Sequence, residues 1–115
     1  MSRGNSAAAR LADAAPIFAA LGDPTRLRIV GRLSDDGPLS IARLSEGAGV
    51  SRQAVTKHLQ ALADAGLVRD NWRGRERIWE IEPRRLERAR RHLDQISERW
   101  DHAIARLRAF VEDPH

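Results

Sequence analysis

The last third of the chain limits the possible folds more than any other part. Leu86, Leu93, Trp100 and Leu107 stand seven residues apart, and Ala89, Ile96, Ala103 and Phe110 form a second, interleaved set. Apolar residues spaced alternately by three and four make one seam along a helix, the a and d positions of a heptad repeat. The segment after Pro83 therefore reads as a single helix over about 84–112, roughly 40 Å long at ~1.5 Å per residue. The chain has 115 residues, enough for one compact domain, whose radius of gyration would be about 13 Å. Such a helix outruns the core available to it. Its seam needs a partner, and a second copy of the chain is the simplest one. The alternative is that it packs only on the chain's own first helix. Leu86, Leu93, Ile96, Trp100, Leu107 and Phe110 are the residues predicted to meet across a homodimer interface.

Upstream of this helix the sequence is punctuated in short units. Residues 1–10 read as a loose tail and 11–115 as one domain. Leu11, Ala14, Ala15, Phe18 and Leu21 recur at helical spacing, with a bend or a start expected near Pro16. Asp23-Pro24 is a helix N-cap followed by Pro at the first helical position. Leu27, Val30 and Leu33 supply the apolar face of that second helix. Ser40 caps a short third helix with Ile41 and Leu44 turned inward. Gly47-Ala48-Gly49-Val50 makes a tight connection of about four residues. Ser51 then caps a fourth helix that runs to about Ala65 and stops at Gly66. Two short helices joined through a Gly-containing turn form a helix-turn-helix.

After Gly66 the period shortens from helix to strand. Val68 to Arg73, then Gly74-Arg75, then Glu76 to Ile81 read as two strands around a Gly. In the second strand Arg77, Trp79 and Ile81 fall on one face, and Glu76, Ile78 and Glu80 on the other. A hairpin directly after a helix-turn-helix is a wing. The expected fold is mainly α with a small β-hairpin, a winged helix-turn-helix in the order α-α-α-α-β-β-α.

On a wheel of ~100° per residue, Val55, Leu59 and Leu62 of the fourth helix face the core, and Gln53, Thr56, Lys57 and Gln60 lie opposite. Any solvated helix has a polar face, so sign and position must decide. No acid occurs in this helix before Asp64, and its first two turns carry Arg52, Gln53, Thr56, Lys57 and His58. Recognition helices place these turns in the major groove of double-stranded DNA. Gln53 and Thr56 are expected to read base edges, and Lys57 a base or a phosphate. Ser51, Arg52 and His58 would position the helix on the backbone. His58 has a second reading, tucked against the edge of the core. In the wing, Arg73, Arg75 and Arg77 surround Gly74 with Glu76 as the nearby acid, a tip suited to the minor groove. The competing reading is a solvated tip whose charges blunt the strand edges.

Charge fits this picture without proving it. The formal net charge is +4, and 19 of the 20 basic residues are Arg, Lys57 being the exception. Arg suits phosphate and guanine because its fork donates bidentately, although a GC-rich genome would raise Arg and Ala alike. The chain has no cysteine, so disulfides, thiolate metal sites and cysteine nucleophiles are excluded. It contains no phosphate-binding loop, nucleophile elbow or dinucleotide fingerprint, and no enzymatic activity is expected. No apolar run nears the ~20 residues of a membrane span, and the N-terminal stretch lacks the apolar segment of a secretory signal. A cytoplasmic protein without membrane contact is expected. A winged helix used for protein contact, or an architectural DNA binder, are the non-enzymatic rivals. The basic set formed by Arg52, Lys57, Arg73 and Arg75 argues against protein contact. Gln53 and Thr56 weigh towards specific reading of sequence.

Three stretches, Phe18 to Leu27, Pro38-Leu39-Ser40 and above all Val50 to Leu59, together with Leu62 to Val68 and the Arg73-Gly74-Arg75 tip, resemble the ArsR family of winged-helix regulators. The resemblance covers about residues 15–112. It implies a homodimer with the first and last helices at the interface, which adds Leu11 and Phe18 to the seam residues. It also implies repression by occupying an inverted-repeat operator. Many members of the family release DNA on binding a metal. The Cys pair of their third-helix site would fall near Ile41 to Leu44, where no Cys stands. On the last helix this chain offers His92-Leu93-Asp94 in reversed order and a lone downstream His102, with Ala105 after it. Both His read as solvated, and no metal or cofactor is expected, so the chain looks like the metal-independent branch. The metal-responsive repressor is the alternative within the family.

Overall fold

The structure is a computed structural model and describes residues 7–112. It contains helices α1 (Ala7–Leu21), α2 (Pro24–Asp36), α3 (Ile41–Ser45), α4 (Arg52–Asp64) and α5 (Pro83–Glu112), and strands β1 (Leu39–Ser40), β2 (Val68–Arg73) and β3 (Glu76–Ile81). Helix α1 begins at Ala7, inside the stretch read from sequence as tail, and it runs unbroken through Pro16. Proline costs a helix one backbone hydrogen bond. Here Pro16 and Ala12, whose carbonyl loses its partner, both face solvent, so water can satisfy that oxygen. Ala14, Ile17 and Ala20 make the buried stripe of α1.

Side chains hold the helix junctions. Asp23 accepts from the backbone N–H groups of Thr25 at 2.9 Å and Arg26 at 3.0 Å, which fixes the start of α2. Arg26 in turn donates from Nε to the Ala20 carbonyl at 2.6 Å, satisfying the end of α1. Arg32, on α2, donates to the Arg43 carbonyl at 2.8 Å and so pins the end of α3. Ile29, Val30 and Leu33 form the buried face of α2. Leu27, expected in that face, is 56% exposed, and Ile29 takes its place. The cause is phase: Ile29, Val30 and Leu33 are spaced by one and three along the wheel, and Leu27 falls outside their arc.

The connection between α3 and the Ser51 cap of α4 spans residues 46–50, one more than the sequence suggested, because α3 ends at Ser45. Ser51 caps α4 by accepting from the Ala54 N–H at 3.1 Å. Val55, Leu59 and Leu62 are fully buried, as the wheel required. Burial of each such side chain contributes about 1.5–3 kcal/mol. At the far end Gly66 adopts φ +77°, and the Leu67 N–H reaches back to the Leu62 carbonyl at 2.9 Å, closing α4 with a left-handed cap.

The sheet has three strands in the order β1-β3-β2, all antiparallel. Strand β1 was not foreseen, since two residues carry no alternation to detect. Leu39 pairs with Trp79 and Ser40 with Ile78. On β2 and β3, Val68 pairs with Ile81, Asp70 with Trp79, and Trp72 with Arg77. Residues directly opposite share a face. Leu39, Val68, Trp79 and Ile81 therefore lie on one face, and these four join the main core with the helices.

Helix α5 leaves this core early. Ala89 and His92 are its buried residues, next to α1, while Leu93, Trp100, Ile104, Leu107, Phe110 and Val111 are exposed, Phe110 by 80%. His92 corrects the reading of a solvated histidine: it is only 6% exposed, one turn after Ala89, and its Nδ1 has no hydrogen-bond partner among the described residues. His102 is exposed, as expected. The radius of gyration is 19.1 Å, against about 13 Å for a compact chain of this length. Thirty residues of helix, about 45 Å, account for the excess.

Candidate nucleic-acid interface

The outer face of α4 and the β2–β3 hairpin carry the residues expected at DNA. Arg52, Gln53, Lys57 and Gln60 are exposed on α4. Gln60 donates to Asp64 at 3.1 Å, one turn further along, which partly occupies its amide. The Ser51 hydroxyl is engaged as the α4 cap. Thr56 is half-buried, and its hydroxyl donates to the Arg52 carbonyl at 2.8 Å. That leaves its methyl group and its oxygen lone pairs for a ligand.

His58 resolves towards its second reading. Its side chain is 23% exposed, and Nδ1 lies 3.9 Å from the Asp23 carboxylate. The imidazole thus sits against the N-cap of α2, where it can hold α4 to α2, instead of reaching outward. Asp23 is kept below the usual carboxylate range, first by the Arg26 backbone N–H. His58 and the Thr25 N–H add to this, against partial desolvation.

Among the described residues five arginines are held by carboxylates, and the basic residues of the α4 face and the wing tip are not among them. Arg32, Arg43, Arg69, Arg77 and Arg90 each pair with a carboxylate. Arg52, Lys57, Arg73 and Arg75 form no ion pair among the described residues, although Glu76 is the strand partner of Arg73. Unpaired cations on a helix face and on a hairpin tip remain available to phosphate. Gly74, at φ +65° with open space around it, lets the tip turn without a side chain in the way.

Arg77 departs from its expected role. Its Nε donates to Asp70 at 2.6 Å, and its guanidinium carbon sits 4.7 Å from the centre of the Trp79 ring. Asp70, not Glu76, is thus the acid that matters to it. Strand register explains this: Asp70 is opposite Trp79, so it lies diagonally across from Arg77 on the same face. Arg77 secures the root of the wing. Trp72, which was not singled out from sequence, stands beside the tip with 64% of its surface exposed. Its two-residue spacing from Asp70 and four-residue spacing from Val68 was the available signal for which face it shares.

Of the predicted interface residues, Leu93, Trp100, Leu107 and Phe110 are exposed, Ile96 is half-buried, and Phe18 and Leu86 pack in part on the core. The side chain of Leu11 lies outside the described residues. Among the described residues no three His, Asp or Glu side chains cluster as a metal site. No helix among them is long and apolar enough to cross a membrane.

Comparison with known proteins gives the same picture. A family model for a helix-turn-helix domain matches residues 21–71, from the end of α1 into β2. The HTH-type transcriptional regulator Rv2034 of Mycobacterium tuberculosis is 40% identical over 93 residues, covering 81% of this chain and 83% of that protein. The solved structure of an ArsR-like transcriptional regulator from Rhodococcus sp. RHA1 is 36% identical with a TM-score of 0.71, covering 87% of this chain and 93% of that one. A homodimeric winged helix-turn-helix DNA-binding domain from Mycobacterium bovis is 26% identical with a TM-score of 0.64, covering 85% of this chain and 86% of that one. This chain belongs to the ArsR family of winged helix-turn-helix, DNA-binding transcriptional regulators.

Proposed function

We propose that the protein acts as a homodimer that occupies an inverted-repeat operator and represses transcription there, as a cytoplasmic regulator without enzymatic activity. The observation that carries this reading is the unpaired set Arg52, Lys57, Arg73 and Arg75, spread over α4 and the wing. In this reading Gln53 and the Thr56 methyl meet base edges, Lys57 a base or phosphate, and Ser51, Arg52 and Gln60 the major-groove backbone. Arg73 and Arg75 reach the adjacent minor groove.

The dimer reading rests on α5. A seam of Leu93, Trp100, Leu107 and Phe110 left in water is more apolar surface than a solvated helix tolerates. A second copy covers it isologously, with Leu86, Ile96, Phe18 and Leu11 at its inner end. The M. bovis domain is homodimeric, which supports the same arrangement here. Two-fold symmetry in the protein then calls for two half-sites, with centres about one helical turn apart.

Sedimentation of the Trp100→Glu variant beside the unaltered protein tests this. The unaltered protein should sediment as a dimer and protect two half-sites in a footprint. The variant should sediment as a monomer and lose the footprint at the same concentration. A monomeric unaltered protein with full protection would contradict the reading.

A further inference from the structure

Trp72 is the one large aromatic side chain on the hairpin that the core does not use. We propose that Trp72 is a DNA-contact residue of the wing, laying its indole against the sugar walls of the minor groove near the contacts of Arg73 and Arg75. The inference rests on the DNA-binding activity of the family.

Register fixes where the ring stands. Trp72 is opposite Arg77, and Asp70 opposite Trp79. Along β2, residues 68, 70 and 72 therefore share the face that Leu39, Trp79 and Ile81 turn into the core. Val68 is buried at the root of this face and Trp72 is 64% exposed at its far end. Val55, Leu59 and Leu62 of α4 share the core that this face closes. Trp72 thus extends the core-side surface of the sheet past the end of the core, on the side of the recognition helix.

The hairpin does not cover most of Trp72. The cross-strand neighbour best placed to do so is Arg77, but its guanidinium is turned to Asp70 and to the Trp79 ring. The same ion pair neutralises Asp70, the carboxylate on the face of Trp72, while Glu76 lies opposite Arg73 on the other face. The surroundings are therefore an exposed indole near the tip, with Arg73 on the opposite face of the strand and Arg75 beyond Gly74. A protein partner for an exposed Trp would ordinarily meet it with apolar surface. Cations near the ring that hold no ion pair instead complement a polyanion that also offers apolar sugar and base surface. An aromatic contact of this kind adds affinity without releasing counterions, so it leaves a signature distinct from that of arginine.

The test compares the unaltered protein with Trp72→Ala and Trp72→Phe on a duplex carrying the chain's own promoter region. Circular dichroism checks that each variant is folded. Trp72→Ala should bind about tenfold more weakly with an unchanged slope of log K against log salt, and Trp72→Phe should recover most of the loss. In the unaltered protein, DNA should shield tryptophan emission from acrylamide, and Trp72→Phe should abolish that shielding. Wild-type affinity in Trp72→Ala, or shielding that persists in Trp72→Phe, would overturn the assignment. A salt slope that falls along with the affinity would also overturn it, by showing that the arginine contacts were lost instead. Failure of the unaltered protein to bind any duplex would bring down the DNA reading of this chain together with the Trp72 assignment.

Discussion

Arg77 and Asp70 are joined diagonally across the hairpin, with Arg77 Nε donating to the carboxylate at 2.6 Å while its guanidinium lies over the Trp79 ring. One side chain thereby links the exposed half of the wing to the aromatic that closes the core. Arg77→Ala should cost about 1 kcal/mol of stability, from the lost cation–π contact and a half-exposed ion pair. Urea denaturation measures this. The salt slope of DNA binding should stay that of the unaltered protein, whereas Arg75→Ala should lower it by about 0.9, the loss of one phosphate contact.

Gln53 is exposed on the first turn of α4, where its amide can pair with one base edge. Gln53→Ala should reduce discrimination at a single base pair by about 1–3 kcal/mol. A panel of duplexes with single substitutions reads this out. Equal weakening on every duplex would reassign Gln53 to the backbone.

The architecture was largely legible in the sequence because its signals are local. Caps at Asp23, Ser40 and Ser51, the stop at Gly66 and the buried triplet Val55, Leu59 and Leu62 each depend on a few neighbouring residues. What could not be read depends on tertiary partners. Arg77 looked like a further member of a basic set, and His58 was left open between that set and the edge of the core. Their carboxylate partners, Asp70 and Asp23, are brought close only by strand register and by the packing of α4 near α2. His92 looked solvated among charged neighbours, yet it shares the α5 face of Ala89 against α1. The free cations of the candidate site were legible for the complementary reason: among the described residues Arg52, Lys57, Arg73 and Arg75 stay exposed and without a carboxylate partner.

Asp23 couples stability to pH. Its folded pKa is lowered, chiefly by the Arg26 backbone N–H. A depressed carboxylate contributes stability that is present above its unfolded value of 3.8 and is lost as pH falls through the folded value. Asp23→Ala should therefore melt below the unaltered protein at pH 7, and the gap should narrow as pH drops below 3.8. Thermal melts at a series of pH values check this; a gap that holds constant down to pH 2, roughly two units below the model-peptide range, would contradict it.

Gly66 ends α4 at φ +77°, and a Cβ there would approach Arg85 Nε to 2.7 Å. The Arg85 side chain can swing aside, so the backbone conformation sets the cost. Gly66→Ala should destabilise the fold by about 1–2 kcal/mol, and Gly66→Asn by less, since Asn tolerates the left-handed region. Equal losses would mean that the clash with Arg85 dominates.

The central claim is that the unpaired cations of α4 and the wing, together with Gln53 and Thr56, form a surface that recognises a particular DNA sequence. Fluorescence anisotropy on the chain's own promoter region and on a scrambled duplex, each across a salt series, tests it most directly. The account predicts tight binding to the promoter, at least ~10³-fold weaker binding to the scrambled duplex, and a salt slope that falls by about 0.9 for each of Arg52, Arg73 and Arg75 replaced by Ala. Equal affinity for both duplexes, or a slope indifferent to all three replacements, would contradict it.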